Sequence, residues 1–141
     1  MENKIRYISG DLLESKDSLC HCVSECMTMG KGIAIQFRRK FKMVEKLKDQ
    51  GVKVGGIAVL YDFSNNRYIY YLVTKKFYWS KPTYDTLEAA LQSMLVHMKT
   101  NGVSSVSMPR IGCGLDKLDW DKVSQIIDRI LKDINVTCYS F

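Results

Sequence analysis

Tyr68-Ile69-Tyr70-Tyr71-Leu72-Val73-Thr74-Lys75-Lys76 decides the reading of this chain. From Tyr68 to Val73 the residues are apolar at odd and even positions alike. A strand of that kind is buried on both faces, so helices must cover both sides of the sheet that holds it. The run before it, Val54 to Phe63, is also apolar, and Ser64-Asn65-Asn66-Arg67 between the two is turn chemistry. The pattern predicts a hairpin.

Outward from this hairpin, strand patterns alternate with helical ones. Lys4 to Ser9 alternates and stops at Gly10-Asp11, and Ser18 to Val23 reads as a short second strand. Gly32 to Phe41 is ambiguous locally, but its length and the preceding Gly30-x-Gly32 favour a helix. Met43, Val44 and Leu47 repeat at helical spacing before Gly51. Leu87, Ala90, Leu91, Met94, Leu95 and Met98 form a clear helical stripe, begun by Pro82-Thr83 and ended by Asn101-Gly102. Its methionines fill core. Val103 to Met108 is a strand. Val123, Ile126, Ile127, Ile130 and Leu131 form a second stripe opened by Asp119 or Asp121, and Val136 to Phe141 closes the chain as a strand. The expected class is α/β, a mixed and mostly parallel sheet between helical layers. Ligands bind such sheets at the carboxyl ends of the strands. Attention therefore falls on Gly10-Asp11-Leu12, Ser24 to Gly32, Lys75 to Lys81, and Arg110 to Asp116.

The 141 residues and 16.2 kDa suit one domain over residues 1–141. Area scaling gives about 7,500 Å² of folded surface against about 23,500 Å² unfolded, enough burial to stand without metal or disulfide. Hydrophobic residues at 46% and charged residues at 26% fit a globular chain. No apolar run nears a membrane span, and the start, Met1-Glu2-Asn3-Lys4, has no apolar signal core. A net charge of +6 attracts anions. The densest basic stretch, Arg38 to Lys42 with Lys46 and Lys48, reads first as the solvated face of a helix and second as a nucleic-acid patch. Cys20, Cys22 and Cys26 surround His21, while Cys113 and Cys138 stand apart. The second pair of a zinc site is missing, so reduced thiols in an intracellular protein are the expectation; neither a metal nor a cofactor is called for.

Two loops are glycine-rich: Met29-Gly30-Lys31-Gly32-Ile33-Ala34 and Ile111-Gly112-Cys113-Gly114-Leu115-Asp116, each ahead of an expected helix. Glycines let backbone N–H groups turn toward an anion, and a helix N-terminus adds its dipole. A pair of such loops suits a diphosphate. Neither fits the Rossmann or Walker pattern. Asp11 is a turn or capping residue, or a base or ribose contact. Asp116 is a helix N-terminal charge, or a general base beside the phosphate cradle. Lys75 and Lys76 end the buried strand, where lysines are normally solvated; an amine partly withdrawn from water could attack an electrophilic carbon. Parity does not choose between the two. His21 reads as a core or edge histidine and His97 as a rim residue of the long helix.

Taken in order, Gly10-Asp11-Leu12, His21-Cys22-Val23-Ser24, Met29-Gly30-Lys31-Gly32-Ile33-Ala34, Tyr70 to Lys76, Lys81-Pro82-Thr83-Tyr84 and Met108-Pro109-Arg110-Ile111-Gly112-Cys113-Gly114-Leu115-Asp116 resemble a macro domain. More narrowly the chain resembles the terminal ADP-ribose protein glycohydrolases, also called O-acyl-ADP-ribose deacylases. The resemblance implies a three-layer α/β/α fold on a six-stranded sheet with an ADP-ribose cleft at the strand ends. By similarity Asp11 would bond the adenine amino group with Leu12 beside it. Gly30, Gly32 and Ile33 of one loop, and Gly112, Cys113, Gly114 and Leu115 of the other, would hold the diphosphate and distal ribose, with Ser24 near that ribose and Arg110 and Ile111 also binding substrate. The resemblance makes Lys75 the nucleophile at the anomeric carbon and Asp116 the residue that resolves the lysyl adduct. It implies a metal-independent hydrolase acting on glutamate or aspartate esters of ADP-ribose and on O-acyl-ADP-ribose. The implied partners are ADP-ribose and ADP-ribosylated proteins, with poly-ADP-ribose and ADP-ribosylated nucleic acid as further candidates and no membrane. The implied setting is a nuclear or cytoplasmic monomer. A non-catalytic reader of ADP-ribose is the alternative. Phe77-Tyr78-Trp79 departs from the pattern and reads as a cleft lip, an adenine-stacking surface or a partner site.

Overall fold

The computed structural model describes residues 5–140. Within them, β1 (Arg6–Ser9), β2 (Ser18–Ser24), β3 (Ile57–Asp62), β4 (Arg67–Lys75), β5 (Ser105–Met108) and β6 (Asn135–Ser140) form one six-stranded sheet in the order β1-β6-β5-β2-β4-β3. Neighbours are parallel except for the β3–β4 hairpin. The helices are α1 (Ile33–Phe41), α2 (Val44–Asp49), α3 (Tyr84–Thr100) and α4 (Trp120–Ile130). The expected mixed, mostly parallel sheet is observed, with small shifts of boundary. The run from Val54 becomes strand only at Ile57, because Gly55 turns the chain at a φ of 93°. Phe141 and Lys4, the first residue of the expected opening strand, lie outside the described range.

β4 divides its side chains between two cores. Tyr70 and Leu72 pack with Leu87, Leu91 and Met94 of α3 and Val123 and Ile127 of α4. Ile69, Tyr71 and Val73 pack on the other face with Phe37 of α1 and Leu47 of α2. Burial on both parities thus produces the three-layer arrangement. Thr83 caps α3 by accepting from the Thr86 N–H, and Asp119 caps α4. His21 is a core residue: fully buried and stacked on Phe37 at 3.9 Å between ring centroids.

The edge at β3 is blunted by a side chain. Gln50 accepts from the Val59 N–H and donates to the Val59 carbonyl, each at 2.9 Å. A strand edge left open would invite pairing with another chain.

Candidate functional site

β2, β4 and β5 all end on the same side of the sheet, and the loops that follow them enclose a cavity of about 1030 Å³. A smaller hollow of about 340 Å³ shares Gly32, Ile33, Pro109 and Tyr139 with it and extends to Gly10 and Leu12. Together they make one elongated cleft.

Lys75 and Asp116 face each other inside it. Lys75 Nζ donates to Asp116 Oδ1 at 2.7 Å, and the two side chains are only 15% and 17% exposed. Lys76, the other candidate amine, is exposed, with its ammonium over the Phe77 ring. A register shift at the end of β4 separates the two lysines. Val23 pairs with Val73, but Ser24 pairs with Lys75, so Thr74 is an extra residue in the ladder. A bulge of this kind re-aims the following side chain. The Glu25 N–H donates to the Lys75 carbonyl at 3.0 Å, which fixes the strand end.

The first glycine loop meets the cleft at the start of α1. Gly32 is the N-cap at a φ of 60°, and no side chain caps the helix. The first-turn N–H groups of a helix have no partner within it, so this end of α1 presents donors and a positive dipole to the cavity. Met27 and Met29 are also left-handed, with φ of 54° and 46°. Backbone held in such conformations clusters at ligand sites.

The second glycine loop is built differently from the expectation. It does not open a helix: α4 begins only at Trp120, behind the Asp119 cap. A turn fills the interval instead. The Cys113 N–H donates to the Arg110 carbonyl at 3.2 Å, and the Leu118 N–H to the Gly112 carbonyl at 2.8 Å. Any anion here meets loop N–H groups without a helix dipole.

Of the residues singled out from the sequence, Ser24, Gly30, Gly32, Ile33, Lys75, Arg110, Ile111, Gly112, Cys113, Gly114, Leu115 and Asp116 line the large cavity, and Leu12 lines its smaller extension. Asp11 lines neither. Its Oδ1 accepts from the Leu13 N–H at 2.9 Å and caps the short turn Leu12–Glu14. Ser24 is buried, and its hydroxyl meets the Cys26 thiol at 3.0 Å.

Sequence reasoning missed Cys22, Lys81 and Tyr139, which also line the cleft. Cys22 and Tyr139 lie near the carboxyl ends of parallel strands, a position that could have flagged them. Burial, and then the Asp116 carboxylate, pushes the Cys22 thiol up to about 12, so it stays protonated beside the ion pair. Lys81 Nζ donates to the Leu115 carbonyl at 2.8 Å and ties the segment after β4 to the second glycine loop. His21 takes no part: burial lowers its pKa to about 3.

Phe77, Tyr78 and Trp79 are exposed, and the latter two line the cavity mouth beyond Lys75. The basic stretch of α1 and α2 is exposed on the surface, with Arg38 donating to the Thr28 carbonyl at 3.2 Å.

Comparison with known proteins agrees with this architecture. The chain is 48% identical to a Bos taurus protein named ADP-ribose glycohydrolase OARD1 and 47% identical to the Homo sapiens protein of that name, over 98% of this chain and 92% of each. A protein from Thermus aquaticus named DNA ADP-ribosyl glycohydrolase is 33% identical over 91% of this chain and 38% of its own length. Among solved structures, the macrodomain of Thermus aquaticus DarG superposes with a TM-score of 0.86 at 29% identity, covering 99% of both chains. The Macro domain family matches residues 20–127. The chain belongs to the macro domain family.

Proposed function

We propose that this protein is an ADP-ribosyl hydrolase that releases ADP-ribose from carboxylate esters, both glutamate or aspartate side chains of modified proteins and O-acyl-ADP-ribose. The observation that carries the reading is the Lys75–Asp116 pair at 2.7 Å inside the cleft. The names of the OARD1 relatives support a glycohydrolase, and a more distant structural neighbour is described in complex with ADP-ribose.

In this reading the uncapped start of α1 and the Gly112 loop grip the diphosphate, while Leu12 and the smaller hollow take the adenine end. The distal ribose then lies over Lys75. Asp116 draws a proton from the Lys75 ammonium, and the freed amine attacks ribose C1. The Nζ–C1 bond forms as the C1–carboxylate bond breaks, and the carboxylate leaves with the electron pair. Asp116 sheds its proton to solvent and then draws one from a water that attacks the same carbon. The amine departs, recovers the proton and restores the ion pair. Cys22, held as a neutral thiol, leaves the field to the lysine.

Replacing Lys75 with Ala should abolish turnover of a glutamate-ADP-ribosylated protein while calorimetric binding of ADP-ribose persists. Turnover that survives in the variant rules out Lys75 as the nucleophile. Trapping a ribose adduct on Lys75 by reduction and mapping it by mass spectrometry checks the same step.

A further inference from the structure

We infer that Glu25 is a positioning residue for the nucleophile: its side chain clamps the end of β4 and so sets where the Lys75 amine stands. The inference rests on the hydrolase reading above, because it concerns the aim of the amine that attacks ribose C1.

Lys75 needs such a support. It is the last residue of β4, and it follows the bulge at Thr74. On the β3 side the ladder ends where Ile57 pairs with Leu72. Beyond it, Val73 is bonded to the turn that precedes β3. The Val73 N–H donates to the Gly56 carbonyl at 3.0 Å, and its carbonyl accepts from the Gly55 N–H at 2.8 Å. Past Val73 the paired strand is β2, and there the register slips. The end of a strand opens locally unless further bonds tie it down.

Glu25 supplies the tie. Its N–H donates to the Lys75 carbonyl at 3.0 Å. Its side chain does not line the cleft and reaches instead to the turn before β3. Glu25 Oε2 accepts from the Val54 N–H at 2.9 Å, and Oε1 lies 3.9 Å from Lys53 Nζ. The Gly56 N–H closes that turn on the Lys53 carbonyl at 3.0 Å. The result is a closed frame. One turn holds Val73 by its backbone and Glu25 by its carboxylate, and Glu25 holds Lys75. The bulged Thr74 lies between two fixed points. A backbone N–H donating to a carboxylate makes one of the stronger protein hydrogen bonds, and the Glu25 side chain is only 17% exposed. Lys53 is 84% exposed, so the ion pair adds little. The acceptor oxygen holds the frame, and a glutamine carries the same oxygen.

The amine moves with the backbone that carries it, and misplacing a reacting group by about 1 Å costs about a hundredfold in rate. The start of α1 and the Gly112 loop, the proposed phosphate grips, lie outside the frame. The defect on losing Glu25 is therefore one of rate and not of affinity. The test compares wild type, Glu25→Ala, Glu25→Gln and Lys53→Ala on O-acetyl-ADP-ribose, well below the Tm of each. In Glu25→Ala, kcat should fall about tenfold to a hundredfold. KM and the calorimetric Kd for ADP-ribose should stay within about twofold of wild type. Reductive trapping of the ribose adduct on Lys75 should slow by the same factor as kcat. Glu25→Gln should keep most of kcat, and Lys53→Ala nearly all of it. Amide hydrogen exchange gives a readout free of catalysis. The N–H groups of residues 25 and 54 should lose protection in Glu25→Ala and keep it in Glu25→Gln.

An unchanged kcat in Glu25→Ala overturns the proposal, and so does undisturbed protection of the two N–H groups. A loss of ADP-ribose affinity with kcat intact also overturns it, because Glu25 would then serve the first glycine loop. If Glu25→Gln is as slow as Glu25→Ala, the charge matters and the clamp does not, and the assignment falls. The hydrolase reading fails in a different way. A wild type that turns nothing over overturns that reading and this assignment with it, whereas an active wild type with an unimpaired Glu25→Ala overturns this assignment alone.

Discussion

Replacing Gly112 with Ala tests whether the second glycine loop is shaped by backbone geometry. Gly112 sits at a φ of 74°, and a Cβ there would lie 2.9 Å from Leu118 Cδ1 and 3.6 Å from Leu87 Cδ2. Left-handed backbone costs an alanine about 1–2 kcal/mol, and overpacking adds about 1–3 kcal/mol. The smaller unfolded-state entropy of alanine returns less than about 1 kcal/mol. The Leu118 side chain is packed against the core between α3 and α4, so its methyl can yield only by disturbing that packing. The net loss should be about 2–4 kcal/mol, or roughly 10 °C in Tm for a chain of this size. ADP-ribose affinity measured by calorimetry should fall with it, since the loop that moves is the proposed phosphate cradle. Gly114→Ala is the control: a Cβ there meets nothing within 4 Å, and the Tm should stay within about 2 °C of wild type. If Gly112→Ala melts with the wild type, or if the two variants lose equally, the loop is not constrained as described.

The remaining expectations concern pH, the sheet edge and the thiols. His21 has a folded pKa lowered to about 3 from 6.5, so the unfolded chain binds its proton first and stability falls as pH drops below about 6.5. The slope approaches 1.4 kcal/mol per pH unit at most; urea unfolding between pH 7 and pH 5 should show it, and His21→Leu should flatten it. Gln50→Ala removes both hydrogen bonds to Val59 and should cost about 1 kcal/mol; light scattering should also detect self-association through the uncovered β3 edge. Iodoacetamide at neutral pH should label Cys26 ahead of Cys20 and Cys22, as read by mass spectrometry. Burial opposes ionisation at Cys26, but hydrogen bonds from Ser24 and Thr28 outweigh it, whereas burial raises Cys20 and Cys22.

Much of this architecture is written in short-range patterns, and the site's details are not. Two-sided burial of β4 follows from its composition, because no polar residue interrupts Tyr68 to Val73, and that alone requires a helical layer on each face. The helical stripes of α3 and α4 are equally legible. Other features depend on contacts between distant segments. Gly112 and Gly114 look alike in sequence, yet one is pressed against Leu118 and Leu87 and the other is open. The choice between Lys75 and Lys76 shows the limit most sharply. Alternation along a strand predicts a side chain's face only while the ladder stays in register, and the ladder slips between Val23 and Ser24. Nothing local to Thr74-Lys75-Lys76 announces that slip, because it is a property of the pairing with β2. The bulge therefore does for the lysine what strand parity cannot: it ends the regular pleat one residue before the amine, where the sheet opens onto Asp116.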